Sequence, residues 1–404
     1  MHCTQEIASD IFWVGGNDRR LERFENMFPL PKGVAYNSYL IMDEKTALVD
    51  TVDSAITVQF LENVTQVLNG RGLDYLIVNH MEPDHCANIE ELTRRYPDLK
   101  IVGNKKTFQL IEQFYTFAKK ESYHEVKEGD QLPLGKHTLS FYFAPMVHWP
   151  EVMFTYEAKE KILFSADAFG SFGAFSGNLF SDETDFENVY LDEARRYYTN
   201  IVGKYGAPVQ AALKKLAGVE IRMICALHGP IWRKDLPYIL DKYDHWSRYI
   251  PEKAGVTLVY ASMYGNTENV INRIANKLAQ KGVHDLRVHD VSKTHPSYII
   301  ADAWKYSHLV LGAPTYNLGL YFVMEALLHE MAGLQLQNRK VALVGNYSWA
   351  SGAIKVMRGL LENMKNMEIV GTPFEINSAM KPAQEPVLDK LVEDIYQSLA
   401  AVPQ

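Results

Sequence analysis

From Val256 onward the chain alternates apolar strand-like runs with helical stretches five times, and this regularity restricts the possible folds more than any other feature. The strand-like runs are VTLVYAS (256–262), LRVHDV (286–291), HLVLGAPT (308–315), KVALVGNYS (340–348) and EIVGTPFEI (368–376), and the series closes with the helical EPVLDKLVEDIYQSLAAV (385–402). Apolar strands separated by helices predict a parallel sheet covered on both faces. Five such units make a doubly wound α/β domain, which binds ligands beyond the carboxyl ends of its strands at the point where strand order reverses.

The preceding part is organised differently. Short strand-like runs at 10–16, 36–42, 46–50 and 73–79 alternate with helical patterns at 54–69, 88–96 and 105–116, and further strands follow at 137–145, 153–158 and 161–167 before a helical pattern around 190–217. This reads as a mixed sheet with helices packed outside it. The pattern changes around YIPEKAGV (249–256), so two domains are expected, 1–250 and 251–404, consistent with a length of 404 residues.

Composition narrows the functional classes. A net charge of -8 gives no attraction to phosphate backbones or anionic membranes, which argues against nucleic-acid partners. No basic segment followed by an apolar one opens the chain, and no apolar run has the length of a membrane span, so a cytoplasmic location is expected. The three cysteines, Cys3, Cys86 and Cys225, are far apart and form no CxxC pair. Any bound metal must therefore rest mainly on nitrogen and oxygen ligands.

Such ligands are concentrated in NHMEPDHC (79–86), where His80, Glu82, Asp84 and His85 fall within six positions after an apolar strand. Three later residues also follow apolar runs: His148 in APMVHWP, Asp167 in FSADAFG and His228 in CALHGP. A lone His after a strand is more often a hydrogen-bonded loop residue than a ligand, and Asp167 could simply cap a turn. The cluster at 80–85 is different, because Glu82 and Asp84 repel each other and a cation explains their proximity. A mixture of imidazole and carboxylate leans toward iron or manganese.

In the second domain, YASMYGNTENV leads from an apolar strand through a tight loop into a helix. Ser262, Asn266 and Thr267 supply polar groups, Gly265 permits close backbone approach, and the helix start offers free N–H groups to an anion. No GK[ST] is present, so this is not a nucleotide-triphosphate loop, and GxGxxG is absent as well. Two more loops, GAPTYNLG (312–319) and GNYSWASGA (345–353), belong to the same sheet edge. Tyr316, Tyr347 and Trp349 could cover a flat aromatic ligand, with Asn317 bonding its polar edge.

The order His80-x-Glu82-x-Asp84-His85, His148, Asp167, His228 resembles the diiron site of flavodiiron proteins, and the three later loops resemble the FMN site of flavodoxins, which form the second half of that family. The resemblance covers essentially the whole chain. It implies a metallo-β-lactamase-like αββα domain followed by a flavodoxin-like one. His80, Glu82 and His148 would hold one iron, Asp84, His85 and His228 the other, and Asp167 would bridge them. FMN would contact Ser262, Met263, Tyr264, Gly265, Asn266, Thr267, Pro314, Thr315, Tyr316, Asn317, Asn346, Tyr347, Ser348, Trp349 and Gly352. Glu82 stands where zinc hydrolases of this fold have a second His, which marks the oxidoreductase branch. Glu151 and Val152 depart from the Asp-Ser often found in relatives, and Asp50 resembles a position behind the metal ligands, although a strand-end carboxylate capping a turn would look the same.

The activity so implied is reduction of O2 to water, of NO to N2O, or both, with electrons passing through FMN. The chain ends just past the last flavodoxin-type helix and carries no CxxC pair, so a separate donor is expected, a rubredoxin or, as in some archaeal relatives, a reduced deazaflavin coenzyme. A head-to-tail homodimer, or a dimer of such dimers, would bring one subunit's flavin to the other's irons. Three alternatives stand beside this reading: a zinc hydrolase using the same ligands, an electron carrier with a structural metal, and a redox sensor built on Cys86.

Overall fold

The computed structural model describes residues 2–116 and 120–402, so positions 403 and 404 of the expected second domain lie outside the described residues. Two units are present, Met1–Tyr198 with Ala207–Asp244, and Thr199–Gly206 with His245–Gln404. In the first, seven strands pair in the order Gln5–Ala8, Ile11–Trp13, Tyr39–Ile41, Ala47–Val49, Tyr75–Ile77, Lys100–Gly103, Tyr123–Glu125. Pairing is antiparallel as far as Ala47–Val49 and parallel beyond it. The change coincides with the helices Thr57–Leu68, Ile89–Arg95 and Lys105–Phe114, one before each parallel strand, because a parallel neighbour can be reached only by a crossover.

A second sheet has the order Gln131–Pro133, Thr138–Phe143, Met153–Glu157, Ile162–Phe164, Met223–Cys225, antiparallel except for its last pair. Tyr39, Ile41, Val49, Ile77 and Val102 of the first sheet share one core with Leu139, Phe141, Met153, Ile162, Phe164 and Cys225 of the second. Leu40, Leu48, Leu76 and Ile101 are equally buried but point to the opposite face, since side chains alternate along a strand. The first sheet is thus covered on both sides. Phe60, Leu61, Val64 and Leu68 of helix Thr57–Leu68 are buried as well, which gives the αββα layering.

The second unit has a parallel sheet in the order Leu286–Asp290, Lys253–Tyr260, Tyr306–Tyr316, Lys340–Tyr347, followed by Glu368–Ile369 and Phe374–Asn377. In chain order this is 2-1-3-4-5, the flavodoxin-like arrangement, with its reversal between Lys253–Tyr260 and Tyr306–Tyr316. Helices Asn266–Gln280 and Glu385–Ala400 pack Val270, Ile271, Ile274, Leu388, Val392 and Ile395 onto one face. Among the described residues no helix is long and apolar enough to cross a membrane.

Some local expectations change, and one element was not expected. The run at 36–42 is not one strand: Val34–Tyr36 pairs with Gly16–Asp18 while Tyr39–Ile41 joins the main sheet. Between them Asn37 is fully buried, accepts from the Trp13 indole at 2.8 Å and donates to the carbonyls of Ala226 and Gly229. The run at 368–376 is broken where Gly371 adopts a φ of 67°. Arg23–Phe24 and Phe28–Pro29 form a small hairpin that no sequence pattern announced.

His308, buried at the start of the central strand, faces the hydroxyls of Ser307 and Ser398 at 2.8 and 3.1 Å. Burial and, secondarily, Lys340 push its pKa down to about 4 from an ordinary value of 6.5. The unfolded chain therefore binds a proton that the folded one refuses, and the stability present above pH 6.5 is lost as pH falls toward 4. The loss should reach on the order of 3 kcal/mol. Denaturant titrations of the protein and of His308→Gln across this range should show a flatter pH profile in the variant.

Candidate metal centre and flavin pocket

Each of the seven candidate ligands follows a strand of the sandwich. His80, Glu82, Asp84 and His85 lie after Tyr75–Ile77, the last two on the short helix Pro83–Cys86. His148 follows Thr138–Phe143, Asp167 follows Ile162–Phe164, and His228 follows Met223–Cys225. Strand ends present side chains without disturbing the ladder behind them, and here four segments converge at one end of the sandwich.

The side chains form two buried groups, His80, Glu82, His148 and Asp167 in one, Asp84, His85 and His228 in the other. In the first, His148 Nε2 lies 3.1 Å from Glu82 Oε2 and 3.0 Å from Asp167 Oδ2, and His80 Nε2 is 3.3 Å from Glu82 Oε2. In the second, Asp84 Oδ2 is 3.4 Å from His85 Nε2 and 3.2 Å from His228 Nε2. Asp167 serves both, since its Oδ1 is 3.0 Å from His85 Nε2 while its Oδ2 faces the first group.

Protonation shows what these groups require. The His80 Nδ1–H donates to Glu151 at 2.8 Å and the His228 Nδ1–H donates to the Ala35 carbonyl at 2.9 Å, so both Nε2 lone pairs point inward. The Nε2 atoms of His85 and His228, both oxygens of Asp84 and Oδ1 of Asp167 are buried without hydrogen-bond partners. Orphaned buried acceptors converging on common points are costly unless something positive lies between them. Burial, with the charges of Glu82 and Asp167, pushes the Asp84 carboxyl up to about 8. Burial opposes a charge on His80 too, but Asp167, Glu151 and Glu82 outweigh it and hold the imidazole well above its usual range. The donor set fits two cations sharing Asp167, and its mixture of imidazole and carboxylate suits iron.

Some neighbours could not have been located from local sequence. Phe24, Tyr36 and Tyr197 surround His228 with ring centroids 5.3, 5.6 and 5.4 Å away. Glu25, at the tip of the unannounced hairpin, keeps part of its surface in water but hydrogen-bonds Glu82, and loss of solvent around its carboxyl together with the Glu82 charge raises it to about 8. Asp50 accepts from the backbone N–H groups of Asn79 and His80 at 2.7 and 3.2 Å.

In the second unit the loops at 262–267, 314–318 and 346–350 enclose a cavity of about 480 Å³ at the switch point. Thirteen of the expected flavin residues line it, from Ser262 to Trp349, and Leu318, Ala350 and Ser378 join them. Gly265 and Gly352 shape the cavity without lining it. Gly265 takes a φ of 88° before helix Asn266–Gln280 and donates its N–H to Ser262 Oγ, and a side chain at Gly352 would meet the Leu318 carbonyl at 2.7 Å. Ser378 comes from the strand end after Phe374–Asn377, where its hydroxyl meets that of Ser348 at 2.9 Å.

A sandwich carrying a two-cation ligand set, followed by a doubly wound unit with this cavity, defines a metal-dependent flavoprotein. Residues 34–229 match the family model described as ODP family beta lactamase, and residues 258–386 match that of flavodoxin. The chain is 32% identical to the nitric oxide reductase of Moorella thermoacetica, over 91% of both chains. It is 31% identical to the anaerobic nitric oxide reductase flavorubredoxin of Vibrio vulnificus over 87% of its own length and 71% of that protein. The structure of rubredoxin oxygen:oxidoreductase from Desulfovibrio gigas superposes with a TM-score of 0.92 over 99% of both chains, at 28% identity. The chain belongs to the flavodiiron proteins, a family that carries FMN and a diiron centre.

Metal removal should therefore leave Glu82, Asp84 and Asp167 crowded with only protons, on His80 and on Asp84 itself, to offset their charge. Chelation is expected to lower the melting temperature of the first unit, and ferrous iron added back to the apoprotein should release protons, because the Asp84 carboxyl, held up at about 8, must ionise to bind. Apparent iron affinity should accordingly fall as pH drops below about 8. Scanning calorimetry and pH-stat titration check both effects.

Proposed function

We propose that the chain reduces O2 to water, NO to N2O, or both, at two irons, with electrons delivered through FMN from an external donor. Residues 1–250 would form the diiron domain and 251–404 the flavin domain. His80, Glu82 and His148 are assigned to one iron and Asp84, His85 and His228 to the other, with Asp167 as the bridge. The observation that carries this reading is the convergence of seven buried ligand-type side chains into two groups that share Asp167.

When bound, the two irons contribute one electron each and the flavin two, enough for four-electron reduction of O2 or two-electron reduction of two NO. The chain's own residues supply the rest. The inward lone pairs of His80 and His228 are oriented by Glu151 and Ala35, so ligand positions are set before any metal arrives. In the flavin pocket, the free N–H groups at the start of helix Asn266–Gln280 would hold the phosphate, and Tyr347 and Trp349 would offer aromatic surface to the flavin.

Around this pocket Tyr264, Trp349, Leu318 and Phe322 are 92, 89, 72 and 64% exposed. An apolar rim of that kind calls for a covering surface, and a second copy of the chain in head-to-tail orientation suits it. A dimer of such dimers is compatible with the same contact. The electron donor would be a rubredoxin-type protein or a reduced deazaflavin, in a cytoplasmic setting. A zinc hydrolase would use the metal ligands but leave the flavin cavity without a purpose.

The test is anaerobic stopped-flow mixing of the fully reduced, iron- and FMN-quantified protein with O2 and, separately, with NO. Oxidation of flavin and iron with four electrons consumed per O2, or N2O formed from NO, is the expected result. Asp84→Ala and His148→Ala should keep FMN but lose gas consumption by at least about 100-fold, since removing a ligand costs more than the 10- to 100-fold typical of its hydrogen-bonding partners. Unchanged rates in both variants would mean that the protein only carries electrons.

A further inference from the structure

The ligands divide almost evenly about Asp167, but the groups behind them do not. Behind His80 lies a second carboxylate, that of Glu151, 2.8 Å from Nδ1, with both residues fully buried. Glu151 is held from two directions. Its carboxylate also accepts the Met81 N–H at 2.8 Å, and its backbone carbonyl accepts from Asn104 Nδ2 at 2.6 Å, where Asn104 caps helix Lys105–Phe114.

The half formed by Asp84, His85 and His228 is backed by neutral groups. His228 Nδ1 donates to the uncharged Ala35 carbonyl at 2.9 Å, and His85 Nδ1 is buried without a partner. An imidazole whose distal N–H is bound to a carboxylate is a more basic ligand than one bound to a carbonyl, and extra negative charge favours the more highly charged metal state.

On the ligand assignment made above, we infer that Glu151 is a positioning residue that makes the two metal sites unequal. It fixes His80 in the Nδ1–H tautomer, strengthens it as a donor, and gives the ion held by His80, Glu82 and His148 the tighter binding and the lower reduction potential. When one electron enters the oxidised two-ion centre, it resides on the ion held by Asp84, His85 and His228.

The discriminating variant is Glu151→Gln in the full, FMN-containing protein. Gln keeps an acceptor oxygen for His80 and Met81 but removes the charge. Chelator competition with ferrous iron should show one of the two sites weakened 10- to 100-fold and the other unaltered. EPR-monitored reductive titration should show the lower of the two iron potentials moving upward, with the FMN potentials unmoved as an internal control. Glu151→Asp, which restores the charge, should return the potential toward the native value, a result that packing alone would not produce. Equal weakening of both sites, or unchanged affinity and potential in a folded Glu151→Gln protein with native FMN content, would overturn the inference. Should Glu151→Gln not fold, Glu151→Asp carries the test, and an unequal pair of sites that it leaves unshifted supports the charge-based role while loss of the inequality refutes it. Failure of the native protein to bind two irons would instead remove the underlying assignment.

Discussion

Three carboxylates and four imidazoles are packed into the end of a β-sandwich with almost no access to water, and that crowding is the constraint on which the first unit turns. Glu82, Asp84 and Asp167 cannot all be ionised there unless positive charge is shared among them. The surrounding protein sets this up at a distance. Asp50 ties down the backbone at Asn79 and His80, Glu151 orients His80, and Asn37 fastens the strand-end loops by bonding to Ala226 and Gly229, next to His228. These are buried polar contacts with partners on other segments, so the ligand geometry is built into the sandwich rather than into the loops alone.

The second unit solves a different problem by the same means. Parallel strands end together at one edge, and where strand order reverses the flanking loops part and leave a cavity. Polar groups from Ser262, Thr267 and Asn346 lie toward the helix start, while Tyr264, Tyr347 and Trp349 supply aromatic surface. Asn346 links the first and last of these loops, donating to Thr267 Oγ1 at 3.3 Å and to the Ser378 carbonyl at 3.1 Å. In both units the sheets carry stability and the strand ends carry chemistry, which lets ligand-binding groups vary without loss of the core.

Much of this was legible in the linear chain because it depends on short-range order. The 2.0- and 3.6-residue periods of Leu258, Val310 or Ile274 report which face is buried, whatever the distant partners are. The spacing of His80, Glu82, Asp84 and His85 within one turn and a short helix places them together by covalent geometry alone. The flavin loops were recognisable for the same reason, as each follows its own strand. The limits are equally specific: the strand expected at 36–42 gives way at Asn37 because three partners outside the segment claim its side chain.

Everything that depends on segments far apart in the chain was decided by folding. Glu25 reaches Glu82 across more than fifty residues, Ser378 enters a cavity whose other walls begin at Ser262, and Glu151 meets His80 from the turn between Thr138–Phe143 and Met153–Glu157 of the other sheet. No period or spacing encodes such meetings, since a side chain's partner across a sheet is set by strand order and register. Local sequence therefore specifies which residues stand at the strand ends, through burial and backbone preference, whereas the charge balance that distinguishes one metal site from the other arises only when those ends are brought together.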